Sequence, residues 1–180
     1  MTTPDYDRRY LEAAFEVLEA YLKSATLYWP LDVKPPKGAP PYPQLTPGNV
    51  LLALRRLEAY GATGDFPLRL RSLKGQWGAH WRQKAGREAQ ARLRQWRNYL
   101  QETTDRAPYY RYEVRERVIL ELLAEDLGAL PPEVAEDLAA LDRVLRGVFR
   151  EGNFVWEAPL ARAFPRERFW FLYGTLKEDT

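Results

Sequence analysis

Seven prolines stand in the eighteen residues 30–47, half of the fourteen in the chain. Proline lacks a backbone N–H and its ring clashes with the preceding helical turn, so no regular helix crosses this stretch. The first helical segment must therefore reach the rest of this 180-residue chain through an extended, polyproline-rich connector. Such a connector either offers itself to an aromatic groove on a partner or lies as an ordered strap across the chain's own helices. A connector this long needs a reason to stay compact, which favours the strap, with Trp29, Tyr42 and Leu45 as anchors.

The segments on either side read as helices. Tyr6, Tyr10, Ala14, Val17, Leu18, Tyr21, Leu22 and Ala25 recur every three or four residues and predict a helix over 5–28. Thr46 as N-cap with Pro47 after it opens a second helix, which carries Val50, Leu51, Leu54, Leu57 and Tyr60 and stops at Gly61. Residues 61–75 read as a loop, in which Phe66, Leu68, Leu70 and Leu73 permit at most one short strand. Further helices are expected over 78–101, 109–127 (stripe Tyr112, Val114 or Arg115, Val118, Ile119, Leu122, Leu123) and 132–149 (stripe Val134, Leu138, Leu141, Val144, Leu145, Val148). Pro159 and Pro165 divide the aromatic-rich end, 153–176, into short helices. The expected fold is all-α: one compact domain over 1–180, a bundle of about five to seven helices with the strap after the first.

Composition narrows function by exclusion. With no cysteine there are no structural disulfides, thiolate metal sites or cysteine nucleophiles, and His80 alone cannot form a multi-histidine metal site. No phosphate loop, nucleophile elbow, zinc-protease or dinucleotide motif is present, so neither a catalytic residue nor a cofactor is expected. The N-terminus has no basic and apolar leader, and no stretch of 18–20 apolar residues occurs; the expectation is a soluble cytoplasmic protein without a membrane span.

The strongest functional clue is charge placement. Residues 66–100 carry nine Lys/Arg and a single acid, Glu88, a local charge of +8 in a chain whose total is +2. Charge concentrated in this way can bind a polyanion despite a near-neutral total. On a helix, Trp81, Ala85, Ala89, Leu93, Trp96 and Leu100 fall on one side, which docks on the core. Lys84, Arg87 and Arg94 fall on the far side with Gln83 and Gln90, and Arg97 lies on its flank. Arg82 and Arg92 border the apolar stripe, while Arg69, Arg71 and Lys74 precede the helix. Arginine pairs bidentately with phosphate, so these nine residues are the candidate contacts to DNA or RNA. Trp77 or Tyr99 is then the candidate to stack on an unpaired base.

Two other readings compete. The acids of the remainder, Glu113, Glu116, Glu121, Glu125 and Asp126 above all, can neutralise the block within the fold, or the block can meet an acidic partner or a second copy. Phe169, Trp170 and Tyr173, in a run apolar on every side, are the candidate homodimer interface. A basic amphipathic helix can also lie on anionic lipid, although Trp81, Leu93 and Trp96 are better explained as core. Glu121 and Glu125 have the i, i+4 spacing of carboxylate metal sites but no histidine to complete one, and read as a solvated acidic face. The expected function is a non-enzymatic nucleic-acid-binding accessory protein; the alternative is a protein-interaction or assembly module.

Overall fold

Helix start and stop chemistry sets the element order. The computed structural model describes residues 3–102 and 105–177. These form five α-helices, three short 3-10 turns and one two-stranded sheet, so the fold is all-α, as its periodicity predicts. The chain divides into two compact units, Met1–Glu88 and Ala89–Thr180.

In the first unit, α1 (Pro4–Lys23) is opened by Thr3, whose hydroxyl accepts from the Tyr6 amide at 3.3 Å. It ends five residues before the expected 28. Ser24 turns into extended backbone and its hydroxyl donates to the Tyr21 carbonyl at 2.7 Å, which closes the last turn. Residues 30–47 lie against α1 as a strap. Trp29 and Leu45 exchange backbone hydrogen bonds of 3.2 and 2.7 Å, and Leu45 is completely buried. Tyr42 stacks on Tyr6 with ring centroids 4.4 Å apart and donates to the Tyr6 carbonyl at 2.9 Å. In return, the Tyr6 and Tyr10 hydroxyls donate to the carbonyls of Pro41 and Gln44.

Helix α2 (Pro47–Ala59) begins where Thr46 and Pro47 predict. Arg56 clamps the buried Asp7 of α1 with both Nε and Nη2, and the pair ties two helices together. Helix α3 (Phe66–Gln101) starts a full three turns earlier than expected. Residues 66–75 are helical and not a loop or strand, because Phe66 and Leu70 bury one helical face at i, i+4. The break anticipated near Gly75 and Gly78 survives only as a kink at Trp77 (φ −121°, ψ 27°).

The second unit receives the last thirteen residues of α3, then α4 (Tyr110–Leu127) and α5 (Pro132–Val148). Two expected core positions face outward: Tyr112 is 73% exposed and Val144 51%. Tyr110 takes the place of Tyr112, since 110, 114 and 118 repeat every four residues and Tyr110 can donate to the Phe171 carbonyl at 2.5 Å. The aromatic end is not a set of α-helices. Strands β1 (Phe149–Phe154) and β2 (Tyr173–Leu176) pair antiparallel and enclose two 3-10 turns. Gly174 makes this possible: a Cβ there would lie 2.3 Å from the Arg150 carbonyl and 2.5 Å from the Phe149 ring. Phe164, Phe169 and Phe171 fill the space beneath, all fully buried. Among the described residues, no helix is long and apolar enough to cross a membrane.

Candidate functional site

Each cation of the +8 block has surroundings of its own. Within the first unit, the lone acid Glu88 is fully buried and accepts from the Gly48 amide at 2.6 Å. A carboxylate at the N-terminus of α2 meets orphan amides and the positive end of that helix. Lys84 does not face outward. It is 3% exposed, donates to Ser24 Oγ at 3.3 Å and to the Thr26 carbonyl, and lies 4.4 Å from the centroid of the Tyr21 ring. Burial, with Arg87 adding to it, holds this ammonium below lysine's ordinary range. Arg87 is exposed and donates to the Ala25 carbonyl at 3.0 Å. Lys84 and Arg87 thus serve the carbonyls just past the end of α1, where cations are favoured.

Lys74 lies over the Trp81 ring at 5.4 Å, and Arg69 over Phe15 and Phe66 at 4.9 and 5.4 Å. Arg71 and Arg82 are exposed and have no ion pair among the described residues. His80 is also exposed and meets Trp77 edge-on at 5.4 Å. Trp77 is half-buried, with the Lys23 ammonium 4.5 Å from its ring centroid over one face.

Within the second unit, Arg92 is buried and paired to Glu116 at 3.2 Å. Its aliphatic stem does not carry the head to water, as its place beside the stripe suggests; a carboxylate reaches in instead. Arg97 bonds Asp137 at 3.0 Å on the partly exposed flank. Arg94 is exposed with no ion pair among the described residues. Tyr99 is buried and donates to the Arg106 carbonyl, so it offers no ring to a base.

The acidic helix α4 is engaged elsewhere. Arg117, which the sequence does not single out, binds Asp142 through two bonds of 2.9 Å and Glu121 at 3.1 Å, with its guanidinium 4.4 Å from the Phe171 centroid. Arg168 takes Glu121 at 2.9 Å and Glu125 at 3.4 Å, so this i, i+4 pair is an arginine site and not a bare acidic face. Among the described residues, no group of three or more His, Asp or Glu side chains is placed to hold a metal.

The aromatic candidates also separate. Phe169 is completely buried and unavailable to a partner. Trp170 is half-buried beneath Arg146 at 3.8 Å, and the half-buried Tyr173 donates to the Phe164 carbonyl at 2.7 Å. Sequence reading missed Arg106, Arg150 and Lys177, which line one cavity. They come from three separate segments, so no local pattern links them.

The block thus sorts by geometry. Lys84 and Arg92 are interior, Arg97 is paired, Arg69 and Lys74 cover rings, Arg71 and Arg82 are exposed beside the apolar stripe, and Arg87 and Arg94 project from the exposed side of α3 with Gln83 and Gln90. Compared with known proteins, the chain matches no family model, no curated protein and no solved structure.

Proposed function

We propose that this chain is a non-enzymatic nucleic-acid-binding accessory protein that uses the exposed side of α3 against phosphates. The observation that supports this reading is the exposure of Arg87 and Arg94 on a helix side that holds two glutamines and no acid between them, with Arg82 exposed about a third of a turn round the helix. At 1.5 Å per residue the three guanidinium stems span about 18 Å, room for several backbone phosphates of a duplex. Neither Arg82 nor Arg94 has an ion pair among the described residues, and Arg87 spends one of its donors on Ala25. Glutamine amides beside them can hydrogen-bond sugar, phosphate or base edges. Lys84 and Arg92 leave the contact set, and Arg97 joins it only by giving up Asp137.

Fluorescence anisotropy against a labelled duplex and its single strand at about 50 mM salt tests the reading, since non-specific binders register in that regime. The triple variant R82Q/R87Q/R94Q is expected to bind at least about ten-fold more weakly. The charge-matched R143Q/R162Q/R166Q, altering exposed arginines elsewhere, is expected to bind like the parent chain. No binding by the parent, or equal losses in both variants, contradicts the proposal. An acidic protein partner or a second copy is the competing occupant, and it would leave both oligonucleotides unbound.

A further inference from the structure

The second unit holds a group of charges that the α3 surface does not use. A cavity of about 370 Å³ lies between residues 105–108 and the β1–β2 hairpin, lined by Asp105, Arg106, Arg150, Thr175 and Lys177 among others. Among the described residues its titratable lining is three cations and one acid, and none of these four has an ion pair among them. Like charges gathered round one space repel each other, and a bound anion removes that cost.

The hairpin fixes two of the cations. Arg150 of β1 stands opposite Thr175 of β2, so their side chains share one face of the sheet. Lys177 follows Thr175 by two residues and returns to that face by strand alternation, and its amide donates to the Val148 carbonyl at 2.7 Å, extending the ladder. Arg106 approaches from the other wall and is held at both ends. Its Nη1 donates to the Leu100 carbonyl at 2.5 Å, and its own carbonyl accepts from the Tyr99 hydroxyl at 2.7 Å. The rest of its guanidinium remains to serve a ligand. Two guanidiniums, an ammonium and a hydroxyl supply many donors and suit a multiply charged tetrahedral anion better than a single carboxylate. Asp105, held at φ 54°, is the one charged acceptor among the described lining residues, and it repels an anion but accepts from a ligand hydroxyl.

We infer that this cavity binds a phosphate monoester carried on a hydroxylated small molecule, of which a nucleoside monophosphate is the simplest probe. Arg106, Arg150, Lys177 and Thr175 take the phosphate, and Asp105 takes a sugar hydroxyl. Tyr109, 59% exposed and next to the lining Pro108, offers a ring for the base. This site does not depend on the α3 surface and stands or falls separately from it.

The test is amide chemical-shift titration of the full chain with adenosine 5′-monophosphate, inorganic phosphate, sulfate and adenosine. The monophosphate is expected to move the amides of 105–107, Arg150, Thr175 and Lys177 with saturation in the millimolar range or tighter, an affinity of about 4 kcal/mol or more. Inorganic phosphate should bind the same place more weakly, and adenosine should move nothing. R150Q and K177Q should each weaken binding about ten-fold, and D105N should narrow the gap between the ester and inorganic phosphate. Affinity should fall below about pH 6, where the phosphate loses its second charge. The inference is overturned if no shifts localise to the cavity, if adenosine binds as well as its monophosphate, if sulfate matches the ester, or if D105N leaves the preference for the ester unchanged. Should R150Q fail to fold, K177Q on the exposed strand end gives the same reading.

Discussion

Lys84 and Arg94 carry the same charge on the same helix, yet one ammonium is buried against the end of α1 and the other guanidinium faces solvent. The two stand about 80° apart round the helix, and Lys84 is on the flank that meets Ser24 and Thr26 just past the end of α1. Helical projection from sequence places Lys84 with Arg87, and it misses that α1 stops at Lys23 and leaves carbonyls for both to serve. No residue pattern announces a carbonyl that needs a donor. Replacing Lys84 with Met should therefore cost stability and not binding. The Thr26 carbonyl loses its donor, and a loss of about 1–3 kcal/mol is expected by urea denaturation, with oligonucleotide affinity within two-fold of the parent. Glu88 makes the same point from the acidic side. The only acid in the block is read in sequence as a minor correction to +8, but it caps α2 through the Gly48 amide. Glu88→Ala should destabilise by about 1–2 kcal/mol, and Glu88→Gln, which keeps an acceptor, by less. Equal losses for the two would contradict the capping role.

At the scale of elements, helices with long apolar stripes are legible and those with short ones are not. The stripe from Trp81 to Leu100 is buried at every position that periodicity assigns to it. Thr46 and Pro47 mark the start of α2 to the residue, because the cap acts locally. The first turns of α3 read as an alternating loop because Leu68 imitates a strand pattern with Leu70; it is 64% exposed, and the true period runs from Phe66 to Leu70. The β1–β2 hairpin was illegible for a different reason. Its strands are separated by the eighteen residues 155–172 and depend on the close approach of Gly174 to Arg150 and Phe149, a tertiary contact that no local window contains. Gly174→Ala should destabilise the chain by more than about 1 kcal/mol, since backbone and not a flexible side chain blocks the new methyl. Hydrogen exchange should then accelerate first at the amides of β1 and β2. Unchanged exchange there would contradict the packing described.

At the scale of the whole molecule, buried tyrosines set a limit on alkaline stability. Burial, then the neighbouring Tyr6, pushes Tyr42 up to about 12, and burial foremost likewise raises Tyr21, Tyr99, Tyr110 and Tyr173. In the unfolded chain these phenols ionise near pH 10, while the folded chain keeps their protons. The folded state then binds more protons above that pH, so stability is full below about pH 10 and falls as pH rises toward 12. Phenolate absorbance should show part of the eleven tyrosines ionising only with loss of helical circular dichroism. The +8 total was legible in the sequence, but its division was not, because partners such as Glu116 and Asp137 lie 24 and 40 residues away along the chain. That division makes the proposed contact small and countable: Arg82, Arg87 and Arg94, not nine cations. The salt dependence of duplex binding measures the count directly. Three phosphate contacts give a log–log slope of about −2.7, and R82Q/R87Q/R94Q should bring it close to zero. A slope of about −8, as if the whole block were engaged, or one unchanged in the triple variant, would contradict the account.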